Sequence, residues 1–568
     1  MKIRYISISN FRGVNHFEWG LPADSVFCLV GKGDSSKSTI LEAIRYCLYP
    51  NWNLSIFDSD FFNNDVTKEL CIELTIGEII PEFISDLKYG LMLRGWNKKE
   101  KKVFDEPDDS LEIVLTIRLS VSNALEPKWI VVNSRNPDGI EFKTSDRIKA
   151  CVGIIGAFSE RQLSWSSGSA IARITEADNI DESLVSAARE AKQTFDMNRS
   201  VLTGFDHAAK KAEVAARHFG VHVSETYKAQ LDISSINLKV GGIALHDKDI
   251  PLRLLGLGSR RLVLCGIQQQ NLENGHITLI DEIEYGLEPN RISRLIKCIR
   301  NDKSGQYFIT THSPIVLREL TIDELYIVHN YNGEVTIQSA NDNQLRELEI
   351  QGKIRANAEA FLSKKVIVCE GATEVGFLRG FDDYLVTKAF DPFAYFGVAL
   401  VDANGGGKVK KTAQVFKQLG YEVAVFADSD AQDQLSDYDC AELKALSIST
   451  FVWAGNVSIE ERIMLDIPWN YVLSCLDFAI NGLGIPAREQ LLSVFPGTLD
   501  KQHSEWPESQ DLRKLIGEVA NKKKWFKNIT NASILFLTIS ELFDSQDYSS
   551  CDLYDKMKQL KTWILNDE

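Results

Sequence analysis

The apolar run in SVFCLVG, Ser25 to Gly31, is followed at once by GKGDSSKST, Gly31 to Thr39, and then by STILEAIRYCLY, Ser38 to Tyr49, whose apolar residues recur with a helical period. A buried strand, a Gly/Ser loop and a helix in that order leave few architectures open. Backbone N–H groups of such a loop and the N-terminus of the helix face an anion, which suits a phosphate. Lys37 is placed to neutralise the outer phosphates, and the Ser38 hydroxyl to ligate Mg²⁺. Gly31, Gly33 and Thr39 complete the candidate nucleotide loop. The usual GxxxxGK[ST] spacing has Gly where this chain has Ser36.

The strand pattern returns in HITLIDE, His276 to Glu282, and in QYFITTHS, Gln306 to Ser313. LIDE sets two acids at the end of an apolar strand. Asp281 suits holding Mg²⁺ through water and Glu282 suits polarising an attacking water, with His312 as a sensor of the γ-phosphate. LLGLGSRRL, Leu254 to Leu262, supplies a Gly-Ser turn before a helix, another anion-ready N-terminus. CIELTIGEI and LEIVLTIRLSV are expected as antiparallel strands of an adjoining lobe. From Asp181 to about Phe219 the chain is Ala-rich and charged without Pro, which predicts a helical arm interrupted near Gly204.

NYNGEVTIQSANDNQ, Asn330 to Gln344, is polar with an NG turn and is expected to be an edge or a linker. The β/α alternation then restarts with KKVIVCEG, YFGVALVDANGGG and YEVAVFADSD, marking a second α/β domain. From about Ile467 the pattern is mostly helical.

At 568 residues the chain has room for two to four domains, and 44% hydrophobic with 25% charged residues is a globular composition. No apolar run reaches 18 residues, so no membrane span is expected. The start, MKIRYISISNFRG, alternates like a strand and lacks a secretory h-region, so a cytoplasmic location is expected. The ten cysteines form no CxxC pair and fit reduced core positions. His218 and His222 are four apart, but Gly220 and the β-like VHVS argue against a helical metal pair. A net charge of -16 argues mildly against nucleic acid, although local patches such as KKKWFK, Lys522 to Lys527, and GGGKVKK, Gly405 to Lys411, can override it.

In the second domain Glu370 ends a strand, Glu374 lies one turn into the following helix, and Asp428 and Asp430 end a later strand. Carboxylates at the carboxyl ends of parallel strands converge on one crevice. They repel one another unless cations sit between them, and hard oxygen ligands suit Mg²⁺ or Mn²⁺. Two such ions about 3.5 to 4 Å apart can activate water and stabilise a leaving oxygen. Taken singly, DSD is a loop and EGATE a helix start with a favourable acid in its first turn.

Together NFRG (Asn10 to Gly13), the phosphate loop, LGLGSRR, LIDE and THS resemble the ABC-type ATPases of the SMC, RecF and OLD group. EGxxE followed by DxD resembles a Toprim domain, and the pair in one chain resembles the OLD-family ATP-dependent nucleases over nearly the whole sequence. The resemblance implies an α/β fold: an ABC-type head with an inserted helical arm, a Toprim domain and a helical C-terminal part. It implies an N-terminal lobe over 1–180, a dimerising arm over 181–240, a second lobe over 241–345, Toprim over 346–470 and helices over 471–568. ATP and Mg²⁺ or Mn²⁺ are the implied cofactors and DNA the implied partner. Two heads would sandwich ATP, each giving Ser259 to the other's nucleotide, so a homodimer or larger homo-oligomer is implied.

By the same resemblance Glu460 in NVSIEER completes the metal set, with Glu461 as its rival, and Lys527 stabilises charge on the scissile phosphate. Lys522 to Lys524 would touch the DNA backbone or form a solvated helix end. Asp58 or Asp60 is a candidate Q-loop equivalent, and WSSGSAIARIT, Trp165 to Thr175, is shared with the group without an assigned role. The implied activity is ATP-controlled, metal-dependent DNA cleavage in anti-phage defence, in some relatives with a reverse transcriptase and its msDNA. A DNA-end binder like RecF, without cleavage, is the alternative from a different class. A Toprim topoisomerase or primase is another, though Tyr548 and Tyr554 have no recognisable housing for a nucleophile.

Overall fold

The computed structural model describes residues 1–150, 152–156, 160–163, 165, 169–171, 203–231, 243–270, 276–341, 347–430, 435–494, 503–544 and 550–566. They divide into two compact units, Met1–Glu347 and Leu348–Glu568.

The first unit is built on one sheet, fourteen-stranded among the described residues. Its parallel half runs Gly153–Ile155, His276–Ile280, Gly305–Thr310, Val26–Val30, Leu325–Tyr331 in spatial order. Val26–Val30 and Gly305–Thr310 are buried at every position, which is why their sequences show no alternation. The other half is antiparallel and includes Lys2–Phe11, Leu70–Gly77 and Glu112–Val121, the last two paired as their alternation predicts. Between the halves Leu325–Tyr331 and Glu334–Ser339 form a hairpin around Asn332 and Gly333, and Glu334 then pairs with His16 of Val14–Gly20. The polar NYNG segment is therefore an interior join of the sheet, not an edge or a linker. Among its strand positions only Val335 is fully buried, so few apolar residues marked it.

Of the expected helical arm, 181–202 lies outside the described residues, as does most of WSSGSAIARIT. Thr203–His218 is a helix, ended by Gly220 at φ +82°. Tyr227–Leu231 is instead a strand, antiparallel to Ile243–Asp247. The arm thus does not stay helical to 240, because YKAQL alternates with the period of two that a strand buries. His218 Nε2 lies 3.5 Å from Cys298 Sγ. The described cysteines are free, and no described helix is long and apolar enough to cross a membrane.

The second unit holds a four-stranded parallel sheet in the order Val398–Asp402, Lys365–Cys369, Glu422–Ala427, Ser449–Val452. The chain leaves the central strand to one side and returns on the other, so its topological switch lies at the carboxyl end of Lys365–Cys369. The C-terminal helices share a single hydrophobic core with this sheet, from Ile367 to Ile564. Their docking depends on two glycines four apart in the helix Ala372–Thr387. A Cβ at Gly376 would overlap Ile529 O, and one at Gly380 would overlap Ser533 O. The helix Ile529–Ile539 therefore lies directly against that backbone, carrying Lys527 just before its start.

Lys365 is completely buried, yet its ammonium closes the end of the last helix by donating to Trp563 O, Ile564 O and Asn566 O. Charged donors at a helix C-terminus satisfy carbonyls that have no partner within the helix. Lys365→Ala should lower unfolding stability by about 2–4 kcal/mol, combining lost charge-assisted hydrogen bonds with lost packing. Urea unfolding monitored by tryptophan fluorescence measures it, and a change below about 0.5 kcal/mol would contradict this role.

Candidate functional site

In the first unit the phosphate loop follows Val26–Val30 and opens the helix Lys37–Cys47. Lys37 Nζ donates to Gly31 O at 3.0 Å, Lys32 O at 2.8 Å and Ser35 Oγ at 3.1 Å. Burial pushes its pKa down to about 8, against the pull of Asp34 and Asp281. Ser38 Oγ donates to Asp281 Oδ1 at 2.9 Å, bringing both candidate Mg²⁺ holders together across 243 residues of chain. Thr310 Oγ1 donates to the same Asp281 oxygen at 2.6 Å and accepts from Glu282 N at 2.8 Å. His312 is exposed, with its backbone N–H donating to Glu284 Oε1 at 2.7 Å. Arg261 Nη2 donates to the carbonyls of Asp281 and Glu282. Thr39 is half-buried beside Ser38, and nothing lies within 4 Å of a Cβ built at Gly33. Ser259 sits in the first turn of the helix Leu257–Gln270, its hydroxyl accepting from Arg291 Nη1 at 3.2 Å, outside the Ser38–Asp281 cluster.

Ser36 occupies the motif's glycine position at φ 69°, a left-handed conformation that glycine adopts without strain. Its Oγ accepts from Asn330 Nδ2 at 2.7 Å, and Asn330 Nδ2 also donates to Gly13 O at 2.8 Å. Arg12, beside Gly13, binds Asp60 Oδ1 at 2.8 Å. Asp60 thus braces the NFRG turn, whereas Asp58 is exposed.

In the second unit Glu370 and Asp428 stand at the carboxyl ends of adjacent parallel strands. Asp428 is buried, and its Oδ1 accepts from Trp453 Nε1 at 3.2 Å and Ile459 N at 2.9 Å. Asp428 N donates to Glu370 Oε2 at 3.3 Å. Glu374, also buried, folds back to accept from Gly371 N at 2.8 Å. Glu460 is wholly buried, and neither of its carboxylate oxygens has a hydrogen-bond partner. Its neighbour Glu461 instead accepts from Ser458 N at 2.9 Å and caps its own helix. Asp430 lies exposed at the rim, where Asn521 Nδ2 donates to it at 3.2 Å.

The electrostatics tie this group together. Burial, then the charges of Glu374, Glu460 and Glu370, hold the Asp428 carboxyl well above its ordinary range. Burial, then Glu370 and Glu460, pushes Glu374 up to about 7 despite its hydrogen bond. Glu370 and Glu460 are also raised, burial being the main cause. Burial opposes the Lys527 charge, but Glu460, Asp428, Glu374 and Glu370 outweigh it and hold its ammonium above the usual value. Lys522, Lys523 and Lys524 are exposed at the end of the helix Gln510–Lys522.

Among the described residues no three His, Cys, Asp or Glu side chains are gathered tightly enough to hold an ion unaided. Glu370, Glu374, Asp428, Asp430 and Glu460 thus lie within electrostatic reach of one another without forming the closed cage that a list of five ligands suggests. The donor chemistry still fits a hard divalent cation. Mg²⁺ keeps several waters and is held by one or two carboxylates together with phosphate oxygens. A carboxylate with two unsatisfied buried oxygens, as at Glu460, calls for such a partner.

Residues 26–318 match a family model described as "AAA domain, putative AbiEii toxin, Type IV TA system". Residues 361–430 match another described as "Overcoming lysogenization defect protein-like, TOPRIM domain". The chain belongs to the OLD-like ATPase–Toprim proteins. A relative of this OLD-like chain, "Retron Vc95 probable ATPase" of Vibrio cholerae serotype O1 biovar El Tor, is 21% identical over 400 residues, which are 60% of this chain and 76% of that protein. An Smc head domain derived from Pyrococcus furiosus, solved with the C-terminal domain of ScpA, is 14% identical with a TM-score of 0.40, over 62% of this chain and 98% of its own. The SMC head domain from Thermotoga maritima is 16% identical with a TM-score of 0.29, over 60% and 99%. By the two family models and the observed elements, the OLD-like chain carries an AAA-type ATPase domain, a Toprim domain after it and a helical C-terminal region.

Sequence reasoning missed Asn330, Thr310, Arg261 and Glu284 around the nucleotide loop, and Trp453 and Asn521 around the carboxylates. Thr310 stands two residues before His312 in TTHS and ends a parallel strand, the same signal that marks Asp281. Asn330, Trp453 and Asn521 carry no local signal.

Proposed function

We propose that this chain is a divalent-metal-dependent DNA nuclease whose access to DNA is controlled by its ATPase head. The observation that supports it best is the buried, unpartnered carboxylate of Glu460, grouped electrostatically with Asp428, Glu374 and Glu370 and faced by Lys527. A lone structural acid would be hydrogen-bonded or replaced by an apolar residue, since burying it unpaired costs several kcal/mol. In the proposed mechanism Glu370, Glu374, Asp428, Asp430 and Glu460 hold the ions. A divalent ion, when bound, would lower the pKa of a water so that it gives up a proton and can attack phosphorus as hydroxide, and would supply a counter-charge for the leaving oxygen. Trp453 and Ile459 N fix the direction of Asp428, the Asp428 N–H fixes Glu370, and Lys527 offers its ammonium to the scissile phosphate.

On the nucleotide side, Lys37, Ser38, Thr39, Gly31 and Gly33 cradle ATP, with Mg²⁺ held by Ser38 and Asp281. Glu282 polarises water, His312 senses the γ-phosphate, and Ser259 acts across a homodimer of heads. The retron named for the Vibrio relative supports a role in anti-phage defence, with a reverse transcriptase and its msDNA as the partner to seek.

Purified protein incubated with supercoiled, linear and single-stranded DNA, with and without ATP, should cut in Mg²⁺ or Mn²⁺ and stop in EDTA. Binding without cutting, with ATP turnover intact, would favour the RecF-like reading. The metal has a second readout. Acids whose folded pKa is raised hold more protons folded than unfolded, so stability falls as pH rises from about 4.5 through the folded value. Mg²⁺ should therefore raise Tm more at pH 8 than at pH 6, and by less in Glu460→Gln protein. Equal Mg²⁺ shifts at both pH values and in both proteins would contradict ion binding at these acids.

A further inference from the structure

In the first unit two neighbouring parallel strands end in residues proposed to meet the outer phosphate: Glu282 after His276–Ile280, and His312 after Gly305–Thr310. A short turn holds one relative to the other. Glu282 sits at φ 47°, a left-handed conformation that few residues other than glycine adopt, so the chain reverses as soon as it leaves its strand. The turn is fixed from several sides. Glu282 N donates to Thr310 Oγ1 at 2.8 Å and Ile283 N to Thr310 O at 3.1 Å, while the buried Arg261 donates to the carbonyls of Asp281 and Glu282. Ile283 is fully buried, which anchors the middle of the turn. Glu282 is left exposed, and the half-buried Glu284, two residues on, reaches across to the next strand end.

Glu284 uses both carboxylate oxygens there. Its Oε2 accepts from Thr311 Oγ1 at 2.7 Å and its Oε1 from His312 N at 2.7 Å. Thr311 is wholly buried, and its hydroxyl also accepts from Ser313 N at 3.0 Å. One side chain thus grips three consecutive residues, directly or through a hydroxyl, where the chain passes from the strand to the helix Pro314–Glu319. His312 is the exposed member of the three. A carboxylate engaged at both oxygens is a fixed brace, because it cannot rotate without breaking a charge-assisted hydrogen bond. We propose that Glu284 is a positioning residue for ATP hydrolysis: it holds the His312 loop at a set distance from Glu282, so that the γ-phosphate sensor and the water-polarising acid meet the nucleotide as one rigid unit. Glu284 acts through His312, and the proposal rests on the roles given above to His312 and Glu282.

The test is steady-state ATP hydrolysis by the full chain. Misplacing a catalytic group by about 1 Å can cost about 10²-fold in rate. Glu284→Ala should therefore lower kcat by about 10- to 100-fold while KM for ATP stays within about threefold, since Lys37 and its loop are untouched. Length and charge then separate. Glu284→Gln keeps the reach and can serve both His312 N and the Thr311 hydroxyl, so it should restore kcat to within about fivefold of the parent. Glu284→Asp keeps the charge but is a methylene shorter, and it should be nearly as slow as Glu284→Ala. In His312→Ala protein, adding Glu284→Ala should change kcat by less than about threefold, because the group it holds is gone. A full-sized loss from Glu284→Ala in that background, or a Glu284→Asp protein faster than Glu284→Gln, would overturn the positioning role alone. His312→Ala protein as fast as the parent would overturn the sensor reading and this proposal together.

Discussion

Asp428→Asn protein is expected to lose metal-dependent cleavage by at least about 10³-fold, the scale of the several kcal/mol that a correctly held ion supplies. In EDTA at pH 8 the same protein should melt at a higher temperature than its parent. The two effects have one cause. Asp428 is buried among Glu374, Glu460 and Glu370, which hold its carboxyl well above the normal range, so at pH 8 its ionised form works against the fold. Asparagine removes that charge and keeps the Oδ1 acceptor that Trp453 Nε1 and Ile459 N require. A structural acid would show the opposite pattern, with lower Tm and cleavage reduced only in proportion to unfolding. Cleavage that survives Asp428→Asn would sink the proposed site. ATP hydrolysis at the separate site of the first unit should be unchanged.

What sequence alone made legible was chemistry at strand ends. Asp281, Glu370 and Asp428 stand out because a buried parallel strand is a run of mostly apolar residues, and the first polar residue after it marks the sheet's carboxyl edge. Ser38 and Asp281 could be named but not joined, since 243 residues separate them. The strand Glu334–Ser339 carries little strand signal because its polar residues resemble a loop, although it joins the two halves of the sheet. Lys527 rests on a different kind of information. Its place depends on Gly376 and Gly380 letting the helix Ile529–Ile539 approach, a contact between segments about 150 residues apart that no local period records. Glu460 and Glu461 are indistinguishable by composition. They separate only once the capping bond from Ser458 N claims Glu461 and leaves Glu460 buried without a partner.

Lys37→Met should reduce ATP hydrolysis by at least about 10²-fold and weaken ATP binding, because the loop loses the ammonium placed to meet the outer phosphates. In the free chain the ammonium is parked on Gly31 O, Lys32 O and Ser35 Oγ, all neutral acceptors, and burial brings its pKa to about 8. Phosphate would replace those acceptors with negative charge and raise the pKa, so binding takes up a proton once the pH passes 8. The Kd for ATP, followed by calorimetry, should then rise steeply above pH 8 in the parent and stay level in Lys37→Met. A parent profile without that step would mean that Lys37 does not meet the phosphates. Ser36→Gly provides the contrast within the same loop. The left-handed backbone at Ser36 stores roughly 1 kcal/mol of strain, offset by the bond from Asn330 Nδ2. Glycine relieves the strain and loses the bond, so hydrolysis should stay within a few-fold of the parent. Asn330→Ala keeps the strain and loses the bond, and it should slow turnover more than Ser36→Gly does. If the two variants rank the other way, the hydroxyl itself contributes to turnover and Ser36 is more than a substitute for the motif's glycine.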